Sequence, residues 1–184
     1  SVTSGDGRNS FGSNSLDYDL GGFKYSARGA VYPLGFFSTG NELTDTDFAR
    51  EKTVKLAIGG SYSYNVGVSD AVGQGHNRFT LYDKDGNHDY PDYQGVSADI
   101  MLKYNGFTFL AEYFNATAAG LQDLYSTPNV KLRPKQIADY LVLGNGFNVQ
   151  AGYLFPKNWA VDFRYSYVAP EWDDKTALIN KANS

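Results

Sequence analysis

Apolar and polar residues alternate one by one over several stretches of this chain, and a period of two fits extended backbone alone. In residues 53–65, Val54, Leu56, Ile58, Gly60, Tyr62 and Tyr64 fall on one side, and Thr53, Lys55, Ala57, Gly59, Ser61 and Ser63 on the other. Residues 95–105 repeat the pattern, with Val96, Ala98, Ile100, Leu102 and Tyr104 set against Ser97, Asp99, Met101, Lys103 and Asn105. A less regular copy follows, where Phe107, Phe109, Ala111 and Tyr113 oppose Thr108, Leu110, Glu112 and Phe114. Phe147, Val149, Ala151, Tyr153 and Phe155 oppose Asn148, Gln150, Gly152 and Leu154, and Trp159, Val161, Phe163, Tyr165 and Tyr167 oppose Ala160, Asp162, Arg164, Ser166 and Val168. Near the start, Phe23, Tyr25, Ala27, Gly29 and Val31 oppose Lys24, Ser26, Arg28, Ala30 and Tyr32, and Pro33 ends the stretch because it lacks the N–H a ladder needs. The pattern predicts about six strands, each near the roughly 9–11 residues with which a tilted strand crosses a bilayer.

The connections predict antiparallel pairing. Asn105-Gly106 accepts the positive φ of a tight hairpin turn, and Pro156-Lys157-Asn158 joins the last two runs. Residues 66–94 and 117–144 are instead long, polar and rich in Gly, Asp, Asn and Pro. Short turns alternating with long loops are the habit of outer-membrane barrels, whose short connections are periplasmic and whose long ones are extracellular. Residues 34–52 break this rule. By parity they belong with the short turns, yet they are long, and an ordered loop or short helix around 46–52 is expected there.

A soluble sandwich or barrel has the same alternation with its apolar side turned inward, so period alone leaves both open. Aromatic residues separate them. The chain holds 15 Tyr and 12 Phe, and those in the strands gather towards strand ends, as rings anchored at two membrane interfaces do. The mean hydropathy of -0.41 is no objection, since a barrel strand shows lipid only at every second residue. No apolar run reaches the roughly 18 residues of a membrane helix. The expectation is therefore an all-β chain, a single outer-membrane domain over residues 1–184. Residues 176–184 are polar where a complete outer-membrane barrel is expected to finish in a strand with a terminal aromatic, so an incomplete transmembrane antiparallel barrel is expected.

Two ordered groups of residues resemble the phosphate-selective porin O and P family of bacterial outer-membrane porins. Gly146-Phe147-Asn148-Val149-Gln150-Ala151-Gly152-Tyr153, then Pro156-Lys157-Asn158-Trp159 and Asp162-Phe163-Arg164-Tyr165-Ser166, is similar to that family's late hairpin. Upstream, residues 55–65 resemble its strand entering a long outer loop, and residues 99–113 its next hairpin. The resemblance implies a barrel of about 16 strands, more than the roughly six read here, so the chain is expected to be a middle-to-late portion of a larger barrel. It further implies a homotrimer or larger membrane assembly that conducts small anions such as phosphate. No dense arginine ladder accompanies it here.

On the polar side, Lys24, Arg28, Lys55, Lys103 and Arg164 stand against Asp99, Glu112 and Asp162. These eight are the candidate pore-lining residues. Their balance predicts mild anion preference, through the field of fixed lumen charges, against the plainer reading of solvated or mutually paired groups. The absence of Cys excludes disulfides, thiolate metal sites and cysteine nucleophiles. The net charge of -4, with no basic cluster, speaks against nucleic acid. Asp83-Lys84-Asp85-Gly86-Asn87-His88-Asp89 lacks the spacing and closing Glu of an EF-hand and reads as a turn. His76 and His88 with neighbouring acids offer an enzymatic alternative, a rim protease, for which no nucleophile can be named. Neither catalytic residues, metal nor cofactor are expected. A non-conducting docking barrel in an envelope assembly and a soluble binding barrel are the alternatives to a pore.

Overall fold

A computed structural model of the protein describes residues 2–3, 23–68 and 79–172. The chain is all-β. Its main sheet runs in the order β1 (Val2–Thr3), β2 (Lys24–Val31), β3 (Lys55–Asn65), β4 (Asp92–Tyr104), β5 (Phe107–Ala119), β8 (Gly144–Leu154) and β9 (Ala160–Pro170), with every neighbouring pair antiparallel. A small hairpin of β6 (Tyr125–Thr127) and β7 (Val130–Lys131) and one helix, α1 (Pro134–Leu141), lie between β5 and β8. Within the described residues the sheet runs open from β1 to β9, and closure is not among its pairings.

The register puts the alternation of all six long strands in phase. Val31, Ile58, Ile100, Ala111, Val149 and Tyr165 form one row across the sheet. Leu56, Leu102, Phe109, Ala151 and Phe163 form the adjoining row. Rings flank these aliphatic rows. Tyr104, Phe107 and Tyr153 are aligned towards the short turns, and Tyr113, Phe147 and Tyr167 towards the long loops. A one-residue slip in any strand would transfer its apolar set to the other face, so this agreement across the whole sheet fixes the register strongly.

What burial the sheet has lies on one side. None of the residues on the apolar face is buried, and Phe163 is 68% exposed. The buried apolar residues come from loops, or, as with Tyr93, Ala116 and Leu154, from the polar face. Over the long-loop end, Val68, Leu81, Leu121, Leu124, Ile137, Leu141 and Leu143 pack with Tyr93 and Ala116 into a small core. The two long connections therefore fold together and lean over the polar side.

Helix α1 supplies three residues of that core, Ile137, Ala138 and Leu141. Pro134 opens it, where its missing N–H costs nothing, and the Gln136 side chain accepts from the Arg133 N–H. The exit is less comfortable. Val142 takes φ 58°, a left-handed conformation that a β-branched residue resists. Val142→Gly is expected to stabilise the fold by about 1 kcal/mol, read as a higher urea midpoint. An unchanged or lower midpoint would show that the valine side chain contributes more than the strain removes.

Candidate functional site: the polar face and its trough

All eight sequence-predicted lining residues lie on the polar face, but they do different things there. Arg28 of β2 reaches across β3 to Asp99 of β4, with Nη1 2.7 Å from Oδ1. Gly59 makes the crossing possible, since a Cβ there would sit 2.5 Å from Asp99 Oδ2 and 2.8 Å from Arg28 Nη2. Glu112 stands opposite Asp99 in the β4–β5 register and accepts from Asn148 Nδ2 at 2.9 Å. Asn148 Oδ1 in turn accepts from Arg164 Nε at 2.9 Å and from Ser166 Oγ at 2.8 Å. Arg28, Asp99, Glu112 and Arg164 thus belong to a polar belt that crosses the sheet from β2 to β9. Asp162 leans over Gly152, where a Cβ would collide with its Oδ1. Lys24 pairs in register with Asn65 near the long-loop end.

Lys103 departs from the expectation of an open lumen charge. It is fully buried. Its ammonium donates to the carbonyl oxygens of Asn41 and Thr44 at 2.5 Å each and of Thr46 at 3.3 Å, and to Thr44 Oγ1 at 3.1 Å. Alternation assigns a side chain to a face and says nothing of what covers that face, so sequence alone groups Lys103 with the open lumen charges. Its neighbour in register, Lys55, also turns to the loop, with Nζ 3.4 Å from the Leu34 carbonyl.

The covering segment is the connection that broke the turn parity. Residues 32–54 form an ordered loop with a short 3-10 turn at Asn41–Leu43, five residues before the place expected from sequence began. Asp47 accepts from the backbone N–H of Glu51 at 3.0 Å and of Gly106 at 2.8 Å, fastening the loop to the β4–β5 turn. Arg50 reaches the far hairpin, donating to the carbonyls of Leu154, at 2.8 Å, and Phe155. The buried Asn41 amide bridges Asp47 and Glu51, at 2.9 Å to each.

Glu51 makes the loop sensitive to acid. Burial is the largest single influence on its carboxyl and works to raise it, yet hydrogen bonds from the Ser38 N–H, Asn41 amide and Ser38 hydroxyl together hold it below the usual 4.5. A folded-state value depressed in this way stabilises the loop fully above the ordinary value, and that stability is lost as pH falls through the folded value. Proteolysis within residues 34–52 is accordingly expected to accelerate once pH drops below the normal glutamate range, and Glu51→Gln to flatten the response. A pH-independent cleavage rate in the parent protein would contradict this role.

Between this loop and the long-loop core lies a trough of about 990 Å³. Phe37, Glu42 and Asp45 line it at one end, Asp99 and Glu112 along its floor, and Asp139 and Leu143 at the other. Glu42, Asp45 and Asp139 were not picked out by sequence reasoning. The available signal was four acids, Glu42, Asp45, Asp47 and Glu51, inside a connection too long for its parity.

Residues 83–89 form a turn in which Asp83 Oδ1 accepts from the Asp85 and Asn87 N–H groups at 2.8 and 2.9 Å. The Asn87 side chain, with these backbone donors, holds the Asp83 carboxyl below its usual value. The His88 ring stacks on Tyr82 and Tyr90, while His76 and the polar segment 176–184 lie outside the described residues.

Comparisons with protein-family models, curated proteins and solved structures found no match for this chain.

Proposed function

We propose that this chain is part of an outer-membrane β-barrel of the porin type, whose polar face lines a water-filled passage for small solutes. One observation carries the reading: the face built of Ile58, Ile100, Val149 and Phe163 is left uncovered, while loops cover part of the side that bears the ions, Lys103 above all. An uncovered apolar surface of this extent suits lipid better than water. The aliphatic rows bounded by rings at both ends match the depth profile of a bilayer, with amphipathic rings at the interfaces. A bacterial outer membrane, further strands completing the barrel, and association into trimers belong to the same proposal.

Reconstitution of the full-length protein in planar bilayers tests this reading. Discrete conductance steps and a heat-dependent gel shift are expected, whereas purification as a stable monomer without detergent would favour the soluble binding barrel. The non-conducting docking barrel has an observation of its own in its favour, since loops fold over the polar face at both ends. A membrane-inserted, heat-modifiable protein without conductance would support it.

A further inference from the structure

We propose that the connection 32–54 sets the charge preference of this passage and makes it favour small cations. The inference rests on the channel reading above and names the solute class for it. The trough is lined by one basic side chain, Arg28, and five carboxylates, those of Glu42, Asp45, Asp99, Glu112 and Asp139. Arg28 is held by Asp99, so its charge is offset within the wall itself. Asp139 is matched by Lys135 one helical turn away. Glu112 is met by the neutral amide of Asn148.

The loop changes the balance in two ways. It holds the buried Lys103 ammonium on its own carbonyl oxygens, where that charge faces four acids, Glu42, Asp45, Asp47 and Glu51, and offsets only part of them, and it presents Glu42 and Asp45 to the space. Arg50, the loop's own guanidinium, is turned to the Leu154 and Phe155 carbonyls and takes no part in the lining. Of the basic set that predicts anion preference, Lys55 and Lys103 are turned to the loop, and Arg28 is the one that lines the trough. Fixed charges beside a narrow aqueous space bounded by low-dielectric walls concentrate the counter-ion and repel the co-ion. No bound ion is required for this effect, only the field.

Reversal potentials across a KCl gradient decide the matter, using the full-length protein and its Glu42→Gln/Asp45→Asn variant. Both side chains are exposed, and the amides keep their shapes, so the variant retains the fold. The parent should be cation-selective. Its potassium-to-chloride permeability ratio should fall by roughly twofold for each carboxylate removed at low ionic strength, with the difference shrinking in high salt. Anion selectivity in the parent overturns the proposal. An equal ratio in parent and variant overturns the role of the loop. A complete lack of conductance in both instead overturns the channel reading, and this inference with it.

Discussion

Ile100→Lys is expected to abolish stable insertion of the folded sheet into lipid, at a cost of about 2–4 kcal/mol for a cation at the bilayer midplane. Ile100 stands in the middle of the aliphatic row, between Ile58 and Ala111, with aromatic rows on either side along the strand. No route to an interface is short from that position. Gln150→Lys is the matched comparison, because Gln150 lies on the polar face beside Arg164 and a lysine there meets water. The two variants should differ by the full penalty when unfolding is measured by urea titration in vesicles. In a water-soluble barrel with this face exposed, Ile100→Lys would be neutral or would improve solubility. Equal stability of the two variants in lipid would therefore remove the membrane reading.

Lys103→Met should release the 32–54 loop while leaving the sheet folded. The substitution keeps the length of the stem but strips the donor from three backbone carbonyls, and it removes the cation that faces Glu42, Asp45, Asp47 and Glu51. Breaking a buried charged contact of this kind costs about 3–5 kcal/mol, more than a surface loop withstands. The cost falls on the loop because the β4 ladder itself is untouched. Limited proteolysis should show rapid cutting within residues 34–52, while hydrogen exchange in Lys55–Asn65 and Asp92–Tyr104 stays slow. Lys103→Arg should fall between, since its planar fork cannot point at all the same oxygens. Unaltered protection of the loop in Lys103→Met would mean that Asp47 and Arg50 hold it unaided.

The strands were legible because their side-chain period survives without any help from distant contacts. Residues 53–65 and 147–155 announce one apolar and one polar side, and the observed Lys55–Asn65 and Gly144–Leu154 differ only at their ends. The Asn105-Gly106 turn was likewise local chemistry, with φ 47° and 88° at its two residues. The loops were not legible to the same degree. Ile137, Ala138 and Leu141 give too short a pattern to mark an eight-residue helix inside a polar stretch. What positions the candidate site is less local still. Arg50 meets Leu154 across 104 residues, and Lys103 meets Asn41 across 62. No periodicity encodes such pairings, so eight side chains could be assigned to the correct face while the roof above them went unseen. The anomalous length of residues 34–52 was the one trace of that roof in the sequence.

The outer rim of β9 has a consequence for assembly. Among the described residues, nothing pairs with the side of Ala160–Pro170 that faces away from β8. In hydrocarbon each unsatisfied peptide group costs several kcal/mol, so a bare rim of this length cannot enter a bilayer alone. On the porin-type reading proposed above, a further strand paired along this edge would precede entry, and closure would license insertion. Wherever the edge stays unpaired it is adhesive, so such copies are expected to aggregate in a concentration-dependent way.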